Sequence, residues 1–532
     1  MKKIILAICV FLSSIAFAQT PQVGGTLVFG RGGDSVSVDP GHVTDGASIN
    51  ATSAIYDNLV QFKYGSTQIE PALATSWEVS KDGLEYVFNL RKGVYFSKTK
   101  YFKQKSEFTA KDVVFSLKRQ FDKTNHYNKI GGAFKYWSAM DMSNIVKDVI
   151  AVDMYTVKIL LKKKEAPFLA NLAMDFAMIL SSDYADMLAK KGKETDLGKK
   201  PVGTGPFIFK KWVKDDKMIF SANKNYWNGR PYIDKLIFKV IANNAVRAAE
   251  LKTGSIHIMD FPNPAEVKVL EKNPKIKLVK QEGLNVGWLA FNMDKKPFDN
   301  KKVRQAIRHA INTQGIVDSI YEGLGTVAVN PIPPTMWSYN KNLKGYEYNP
   351  EKAKQLLKEA GFENGFETNL WAMTVARSYI PNGRKVAEAM QADLAKVGIK
   401  AKIISYDNAT YLQRSAMGEH DMVLTGWTGD NGDPDNFLNI LFSAHAADPK
   451  PAQNRSFWRD AEFTKLVDAA KITTDITKRT ALYEKAQVIF EEEAPVHPIA
   501  HSIVVEPMLN KVHGFKLDPV GKRRFKEVWL EK

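Results

Sequence analysis

The chain has 532 residues, of which 44% are hydrophobic and 25% charged, and its formal net charge is +17. A length of this size predicts two or three domains, with cores large enough to fold without disulfides. The lysines alternate with apolar residues, as Lys400 and Lys402 do around Ala401, and do not form a block. This spread is typical of a basic solvated surface and argues against a nucleic-acid-binding face.

The first 18 residues have the composition of an export signal. Lys2 and Lys3 precede an apolar run over 4–15 that is too short to span a membrane. The segment ends in an Ala-x-Ala sequence, so we predict a signal peptide cleaved after Ala18. A lipoprotein signal at Cys9 is disfavoured, because only five residues separate it from Lys3. Cleavage would leave 514 residues (532 − 18), no cysteine and a net charge of +15 (17 − 2).

The first third of the chain is predicted to mix strands and helices. Extended segments at 77–80 and 84–90 flank an Asp-Gly turn, which predicts a β-hairpin. Thr109 precedes a helical pattern over 110–121 with an acid at its third position, which is a capping arrangement. A further apolar helix is predicted over 168–180, directly after a proline.

The sequence Gly-Thr-Gly-Pro at 203–206 marks a sharp break in these patterns. We interpret it as a crossing of the chain between two domains. A phosphate-binding loop is the alternative for such glycines, but no Gly-Lys-Ser/Thr follows at the spacing of a P-loop.

Beyond residue 285 strands and helices alternate. The predicted helices and strands are a helix containing Val303, Ile307 and Ala310, a helix from Asn349-Pro350 to Gly361, a helix over 386–397, a strand over 399–403, a helix over 408–417 and a strand over 422–424. This alternation predicts a mainly parallel open sheet of an α/β fold, in which ligands bind outside the carboxyl ends of the strands. Arg377 and Asp430 both lie just past such ends.

These two residues suggest a site for a small zwitterion. Asp430 follows the strand over 422–424 in a loop rich in glycine, and Arg377 follows an apolar segment over 370–373. We predict that the acid pairs with an amino group and the guanidinium with a carboxylate, and that the ligand is a dipeptide. The amine and carboxylate of an extended dipeptide lie roughly 6–7 Å apart. Fixed charges at that separation would select peptide length and leave the side chains free to vary.

Other roles are open for each of these residues. Asp430 could be an acid that caps its own turn, and this is the role we assign to Asp433 and Asp435. Arg377 could be an ordinary surface arginine; its competitor, Arg384, is assigned to the first turn of the next helix. Trp427 could line the ligand site or belong to the core.

The sequence contains no pattern for catalysis or metal binding. It has no Gly-x-Ser-x-Gly elbow and no His-Glu-x-x-His. His497 and His501 are four apart, but Pro498 between them argues against a shared helical face. The acids near residue 430 do not fit a calcium-binding loop. We therefore predict a binding protein with no cofactor and no metal, and keep a secreted hydrolase as the alternative class.

Several longer motifs resemble a known family. They are the segments at 71–77 (PALATSW), 90–94 (LRKGV), 109–114 (TAKDVV), 203–207 (GTGPF), 303–306 (VRQA), 332–337 (IPPTMW) and 426–437 (GWTGDNGDPDNF). Together they make the chain similar to the bacterial family 5 extracellular solute-binding proteins. The segment at 426–437 is most similar to the dipeptide-binding branch of that family.

This resemblance implies a periplasmic-binding-protein-like α/β fold of type II, with the three-domain cluster C architecture. Its two lobes would close around a hinge and a ligand cleft. Domain I would comprise 19–57, 204–284 and 501–532, domain II 58–203, and domain III 285–500. The hinge would lie near Asn285 and Ala500. Dipeptide-binding relatives carry disulfides that the mature chain cannot form, so packing would have to replace them.

The resemblance also implies partners and site residues. Asp430 would pair with the ligand's amino terminus and Arg377 with its carboxylate, while Trp427 would line a side-chain pocket. Thr44 and Gly46 would contribute hydrogen bonds to the peptide backbone. A monomer in the periplasm would deliver its ligand to an inner-membrane ABC permease of two transmembrane subunits with cytosolic ATPases. Longer oligopeptides, haem and a nickel chelate are the alternative ligands, and no nucleic acid is expected.

Overall fold

The computed structural model describes residues 20–448 and 450–532. The predicted signal peptide and its cleavage after Ala18 lie outside these residues. Within the described part of the chain, no helix combines the length and the apolar character that crossing a membrane requires.

Strands and helices alternate along most of the chain. The strands are β1 Thr26–Arg31, β2 Val60–Phe62, β3 Ile69–Pro71, β4 Ala74–Val79, β5 Glu85–Leu90, β6 Val146–Asp153, β7 Thr156–Leu161, β8 Phe207–Val213, β9 Lys217–Ala222, β10 Lys235–Val240, β11 Ile258–Met259, β12 Ile276–Glu282, β13 Asn285–Phe291, β14 Gly325–Val327, β15 Phe366–Trp371, β16 Ile399–Ile404, β17 Met422–Thr428, β18 Val496–Leu509, β19 Val512–His513 and β20 Trp529–Leu530. The α-helices are α1 Gly46–Ile55, α2 Ala110–Lys118, α3 Lys135–Ala139, α4 Met142–Ile145, α5 Phe168–Leu172, α6 Ser182–Lys190, α7 Asn244–Thr253, α8 Pro264–Glu271, α9 Lys301–Ala310, α10 Thr313–Ile316, α11 Pro350–Glu359, α12 Gly383–Ala395, α13 Asn408–Ala416, α14 Asp435–Phe442, α15 Ala444–Ala447, α16 Ala461–Ile472 and α17 Ile476–Glu493.

A large mixed sheet holds the molecule together. Its strand order is β16-β15-β17-β13-β18-β11-β1-β10-β9-β8, and β12 and β14 also pair with β18. The prediction of parallel pairing is correct for β15, which runs parallel to both β16 and β17. Strand β13, which was not among the predicted strands, is antiparallel to both of its neighbours, β17 and β18. The long strand β18 returns through the middle of the sheet, and such pairing between distant segments leaves no local pattern.

The predicted hairpin belongs to a second sheet. Strands β4 and β5 pair antiparallel and continue through β7 to β6. The Asp-Gly turn between them works because Gly83 has φ +71°, a conformation that glycine adopts without strain. Helix α2 begins with the predicted capping box of Thr109 and Asp112, but it ends at Lys118, short of the predicted residue 121.

The helix predicted over 168–180 is wrong in length. Helix α5 stops at Leu172, and a short 3-10 turn follows at Asp175–Ala177. The Asn58 side chain donates hydrogen bonds to the carbonyls of Leu172 and Met174, at 3.0 and 2.7 Å. These two carbonyls are therefore hydrogen-bonded by a side chain that lies outside the helix. The segment is buried except at Leu169 and Ala170, which are half-buried, so its apolar run reflects burial on nearly all sides and not one face of a long helix.

The Gly-Thr-Gly-Pro segment packs against another crossing of the chain. A Cβ on Gly203 would lie 2.1 Å from the carbonyl oxygen of Ile55, and the Gly205 amide donates to that same oxygen at 2.8 Å. Beside them, the Thr204 hydroxyl donates to the buried carboxylate of Asp57 at 2.7 Å. The two glycines thus allow two backbone segments to touch, which a phosphate-binding loop does not require.

We expect Gly203→Ala to lower the free energy of unfolding by about 1–3 kcal/mol, because the added methyl group overlaps backbone atoms that cannot rotate away. The urea midpoint of the purified protein measures this change. Gly33→Ala is the matched control, since a Cβ there meets nothing within 4 Å, and it should stay within about 0.5 kcal/mol of the parent. An unchanged midpoint for Gly203→Ala would contradict the close packing of the two crossings.

A second close contact between two backbone segments lies where β18 stops pairing with β13 and begins to pair with β12. Asn285 is fully buried, and its Oδ1 accepts from both the amide and the hydroxyl of Ser502 at 3.0 Å. Its Nδ2 donates to the Ser502 carbonyl at 3.3 Å. Gly283 has no room for a side chain beside this contact, because a Cβ would lie 1.9 Å from Asn285 Nδ2. The hydrogen bonds between Asn285 and Ser502 therefore connect the start of β13 to β18.

Candidate functional site

The loop after β17 is held by its backbone on both sides. The Gly429 amide donates to the Leu284 carbonyl at 2.7 Å, which joins the loop to the crossing beside Asn285. The Asp430 amide donates to Asn436 Oδ1 at 3.0 Å, at the start of α14. Asp430 is therefore presented from a fixed backbone, as expected of a binding group that follows a buried strand.

The Asp430 carboxylate has one oxygen in use and one free. Oδ1 accepts from the Tyr136 hydroxyl at 2.9 Å, whereas Oδ2 is buried and has no hydrogen-bond partner among the described residues. Burial raises the pKa of Asp430 to about 7, the hydrogen bond from Tyr136 opposes this, and the nearby charge of Asp175 adds to it. An enclosed carboxylate oxygen without a donor is a suitable partner for an ammonium group.

Lys522, whose charge acts on this carboxylate, is bound to other groups. Lys522 Nζ lies 3.2 Å from Asp175 Oδ2 and donates to the Ala173 carbonyl at 3.2 Å. Ser53 also donates to Asp175, at 3.1 Å. Lys522 is therefore paired with Asp175 and forms no ion pair with Asp430 among the described residues, although its charge still lowers the pKa of Asp430.

Arg377 lies in the loop after β15 with an exposed side chain. Among the described residues its guanidinium forms no ion pair; it donates to the carbonyl of the adjacent Ala376 at 3.5 Å and contacts the Tyr379 side chain. The loop is nevertheless anchored, because Tyr321 donates to the Tyr379 carbonyl at 2.6 Å and the Tyr379 ring covers Gly426 in β17. A cation on an anchored loop without an acidic partner suits an anionic ligand group.

Arg384 behaves as the sequence predicted. It stands in the first turn of α12 and forms an ion pair with Glu388 at 2.6 Å, one helical turn further on. This exposed (i, i+4) pair needs no ligand to account for it. Arg384 thus has a partner on its own helix, whereas the role of Arg377 in ligand binding stays a prediction.

Trp427 is placed within β17 and is half-buried. Its Nε1 donates to Asn436 Oδ1 at 2.9 Å, the same oxygen that holds the Asp430 amide. Since side chains alternate along a strand, Trp427 points away from the face where Tyr379 covers Gly426. Its predicted role as a wall of a side-chain pocket stays a prediction.

Thr44 and Gly46 flank Asp45, the N-cap of α1, and both are exposed. A Cβ at Gly46 would meet nothing within 4 Å, so packing does not require glycine at this position. The backbone there is open to a ligand, and the contributions of both residues remain predictions.

The turn acids have more partners than the sequence predicted. Asp433 does accept from the Asp435 amide at 3.0 Å, as a turn-capping acid would. It also binds Arg479 through two hydrogen bonds of 2.8 Å, and Asp435 lies 3.9 Å from Lys471 Nζ. Both acids are therefore joined to the helices behind the loop.

Two residues at the site were missed in the sequence. Tyr136 is 294 positions from Asp430, and no pattern around it marks it as a partner. Asn436 shows only as one more polar residue in a loop, although it holds both Trp427 and the Asp430 backbone. Neither contact could be inferred from spacing, because each depends on the tertiary fold.

Comparison with known proteins gives consistent matches. The family model of the bacterial extracellular solute-binding proteins, family 5 Middle, matches residues 68–448. The dipeptide-binding protein of Escherichia coli strain K12 is 46% identical over 523 residues, covering 98% of this chain and 97% of that protein. Two solved structures resemble this chain in their fold. The periplasmic binding protein DppA of Helicobacter pylori, in complex with the peptide STSA, is 50% identical with a TM-score of 0.89 and covers 96% of this chain and 99% of its own.

The second structure is the dipeptide-binding protein of Pseudoalteromonas sp. SM9913 in complex with Met-Leu. It is 36% identical with a TM-score of 0.88, and the match covers 95% of this chain and all of that one (100%). These likenesses confirm the predicted α/β fold with two lobes around a cleft.

Proposed function

Because this chain belongs to the bacterial extracellular solute-binding proteins of family 5, we propose that it captures dipeptides by pairing both of their charged ends in a closing cleft. Members of the family bind solutes, so the chain is a binding protein and not an enzyme. Its place is that of the peptide-binding component of an ABC importer, outside the cytoplasmic membrane.

One observation carries the proposal. Within the part of the chain that the structure describes, Asp430 keeps a buried oxygen without a donor, on a loop fixed at its backbone. Within the same residues, Arg377 keeps a guanidinium without an acidic partner, past the end of the neighbouring strand β15. A dipeptide would supply an ammonium to the first and a carboxylate to the second. Arginine suits the carboxylate because its planar fork can donate two parallel hydrogen bonds.

The domain division expected from the family supports a closing motion. Domain I is proposed as 19–57, 204–284 and 501–532, domain II as 58–203, and domain III as 285–500. In this division the Tyr136 hydroxyl reaches Asp430 from domain II across to domain III. The contacts of Asn285 with Ser502 would lie at the hinge. Rotation about that point would hydrate Asp430 in the open form and enclose it in the closed form.

Peptide length follows from the same two charges. A tripeptide lengthens the span by about 3.3–3.6 Å, so one charge would stay unpaired in a closed cleft. Longer peptides are the second candidate ligands, because the H. pylori relative is described with the tetrapeptide STSA.

Calorimetry with modified peptides tests both the pairing of the two charged termini and the selection of peptide length. We expect Ala-Ala to bind, and its N-acetylated and C-amidated forms to lose at least about 100-fold in affinity, as each removes one buried ion pair. Equal binding of free and blocked dipeptides would overturn the proposal. Tri- and tetra-alanine measured alongside show whether length is selected.

The finer features of the system are also proposals. We propose that the protein works as a periplasmic monomer, exported with its signal cleaved after Ala18. Two transmembrane permease subunits, with cytosolic ATPases, would receive the ligand from the closed form.

A further inference from the structure

A buried acid outside the ligand site also lies between the proposed lobes. The Glu165 side chain is fully enclosed, and neither of its carboxylate oxygens has a hydrogen-bond partner among the described residues. Its nearest cation is Lys471 on α16, with Nζ at 3.7 Å. The backbone reinforces this contact, because the Ala166 amide donates to the Lys471 carbonyl at 2.8 Å. Glu165 belongs to proposed domain II and Lys471 to proposed domain III.

Lys471 also lies close to a second acid, which belongs to its own proposed domain. Asp435 at the start of α14 lies 3.9 Å from Lys471 Nζ, and both residues belong to proposed domain III. The next acid along, Asp433, is fully occupied by Arg479 at 2.8 Å. One ammonium therefore faces two carboxylates, and only Asp435 stays with it when the lobes separate.

The other charged side chains near Glu165, Asp435 and Lys471 do not neutralise the net negative charge of these three residues. Glu165 is also influenced by the cation of Lys163 and the anion of Asp433, and Lys471 by Asp141 and Asp468. Burial raises the pKa of Glu165 well above its usual range, with Asp435 and Asp433 adding to the effect and Lys471 opposing it. The same burial raises the pKa of Asp435 to about 6. Two enclosed carboxylates beside one lysine favour the binding of one proton.

We propose that Glu165 is a positioning residue that docks on Lys471 and Asp435 only when the lobes close, and that closure at this contact takes up one proton. The inference rests on the proposed function, because it assumes that ligand capture closes domain II against domain III. The contact also reaches the ligand loop directly, since Asp435 is five residues from Asp430 in the same loop and helix start.

The direction of the pH effect follows from this arrangement. In the open form Glu165 would be hydrated, with the ordinary pKa of a solvated glutamate. Below that pKa it is protonated in both forms, and closure carries no penalty. As the pH rises towards the higher pKa of the closed form, each closure must first bind a proton. Peptide affinity should then weaken by up to about tenfold per pH unit on account of this residue.

The test compares Glu165→Gln with the parent. Glutamine has the same shape and no charge, so it closes without a proton. We measure Ala-Ala affinity by calorimetry from pH 5 to pH 7 and take the ratio of the two dissociation constants, parent over variant. Effects of Asp430 and of the peptide termini are common to both proteins and cancel. The ratio should be smallest at pH 5 and rise at least about tenfold by pH 7, where the variant binds more tightly.

A matched control and a second measurement complete the test. Glu78→Gln, an exposed acid of the same proposed domain, should give a ratio that does not change with pH. Calorimetry of the parent at pH 6.5 in buffers of different ionisation enthalpy should show proton uptake larger by up to one proton than in Glu165→Gln.

Two outcomes distinguish a failure of the proton-linked contact at Glu165 from a failure of the proposed function, dipeptide capture. If Ala-Ala binds and the ratio for Glu165→Gln is constant from pH 5 to pH 7, the proton-linked contact is wrong and peptide capture stands. If the parent binds no dipeptide at any pH, the proposed function fails, and this inference falls with it.

Discussion

Replacing Arg377 with alanine is expected to weaken dipeptide affinity by roughly 150- to 5,000-fold. A peptide carboxylate enclosed without its cation costs on the order of 3–5 kcal/mol. The fold should be unaffected, because the side chain is exposed and forms no ion pair among the described residues. Calorimetric titration with Ala-Ala, together with a thermal melt of the empty protein, measures both parts of the prediction.

Arg384→Ala is the matched control for this change. Arg384 lies seven residues further on, is equally exposed, and pairs with Glu388 on its own helix. Its removal should leave the affinity for Ala-Ala within about twofold of the parent, since exposed helix pairs contribute only a few tenths of a kcal/mol. If Arg377→Ala binds as tightly as the parent, or if Arg384→Ala shows the loss instead, the carboxylate anchor is assigned to the wrong arginine.

Local chemistry explains which parts of the fold were predictable. The turn at Gly83, the capping box at Thr109 and the start of α11 at Asn349-Pro350 each depend on residues within one turn of each other. The same holds for Arg384, whose partner is four positions away. Such features are set by backbone conformation and short-range hydrogen bonds, so the sequence alone was sufficient to place them.

Features that depend on distant partners were missed or misjudged. The antiparallel placement of β13 follows from its pairing with β18, more than 200 residues later. Where α5 ends early, the carbonyls of Leu172 and Met174 accept hydrogen bonds from Asn58, over 100 residues before them. The candidate site combines both kinds of information. Strand ends indicated Asp430 and Arg377, whereas the Tyr136 hydroxyl and the free oxygen of Asp430 exist only in the folded chain.

Asp430→Asn should have two effects of opposite sign. The first is a loss of dipeptide affinity of roughly 150- to 5,000-fold, because the ligand's ammonium is then enclosed beside a neutral amide. The second is a gain in stability of the empty protein. In the structure the pKa of this acid is about 7 against an ordinary 3.8, so its charged form is disfavoured by burial. Calorimetry with Ala-Ala and thermal melts between pH 4 and pH 8 follow the two effects.

The sign of the second effect fixes its pH range. Below about pH 4 Asp430 is protonated both in the folded and in the unfolded chain, so parent and variant should melt alike. From there the parent loses stability relative to the variant as the pH rises, and the difference levels off above about pH 7. At about 1.4 kcal/mol for each of the 3.2 pKa units (7 − 3.8), the full difference is at most about 4.5 kcal/mol. Asp299→Asn, an exposed acid of the same proposed domain, should show neither effect.

Both effects arise from one carboxylate oxygen that is kept without a donor until the ligand arrives. A residue retained for folding alone would stabilise the empty protein, whereas this one should destabilise it and be compensated only by the ammonium of the cargo. Loss of affinity together with higher stability at pH 8 would therefore identify Asp430 as the amine anchor. Retained affinity would show that the amino terminus is bound elsewhere. A variant less stable than the parent at pH 8 would show that this carboxylate serves the fold.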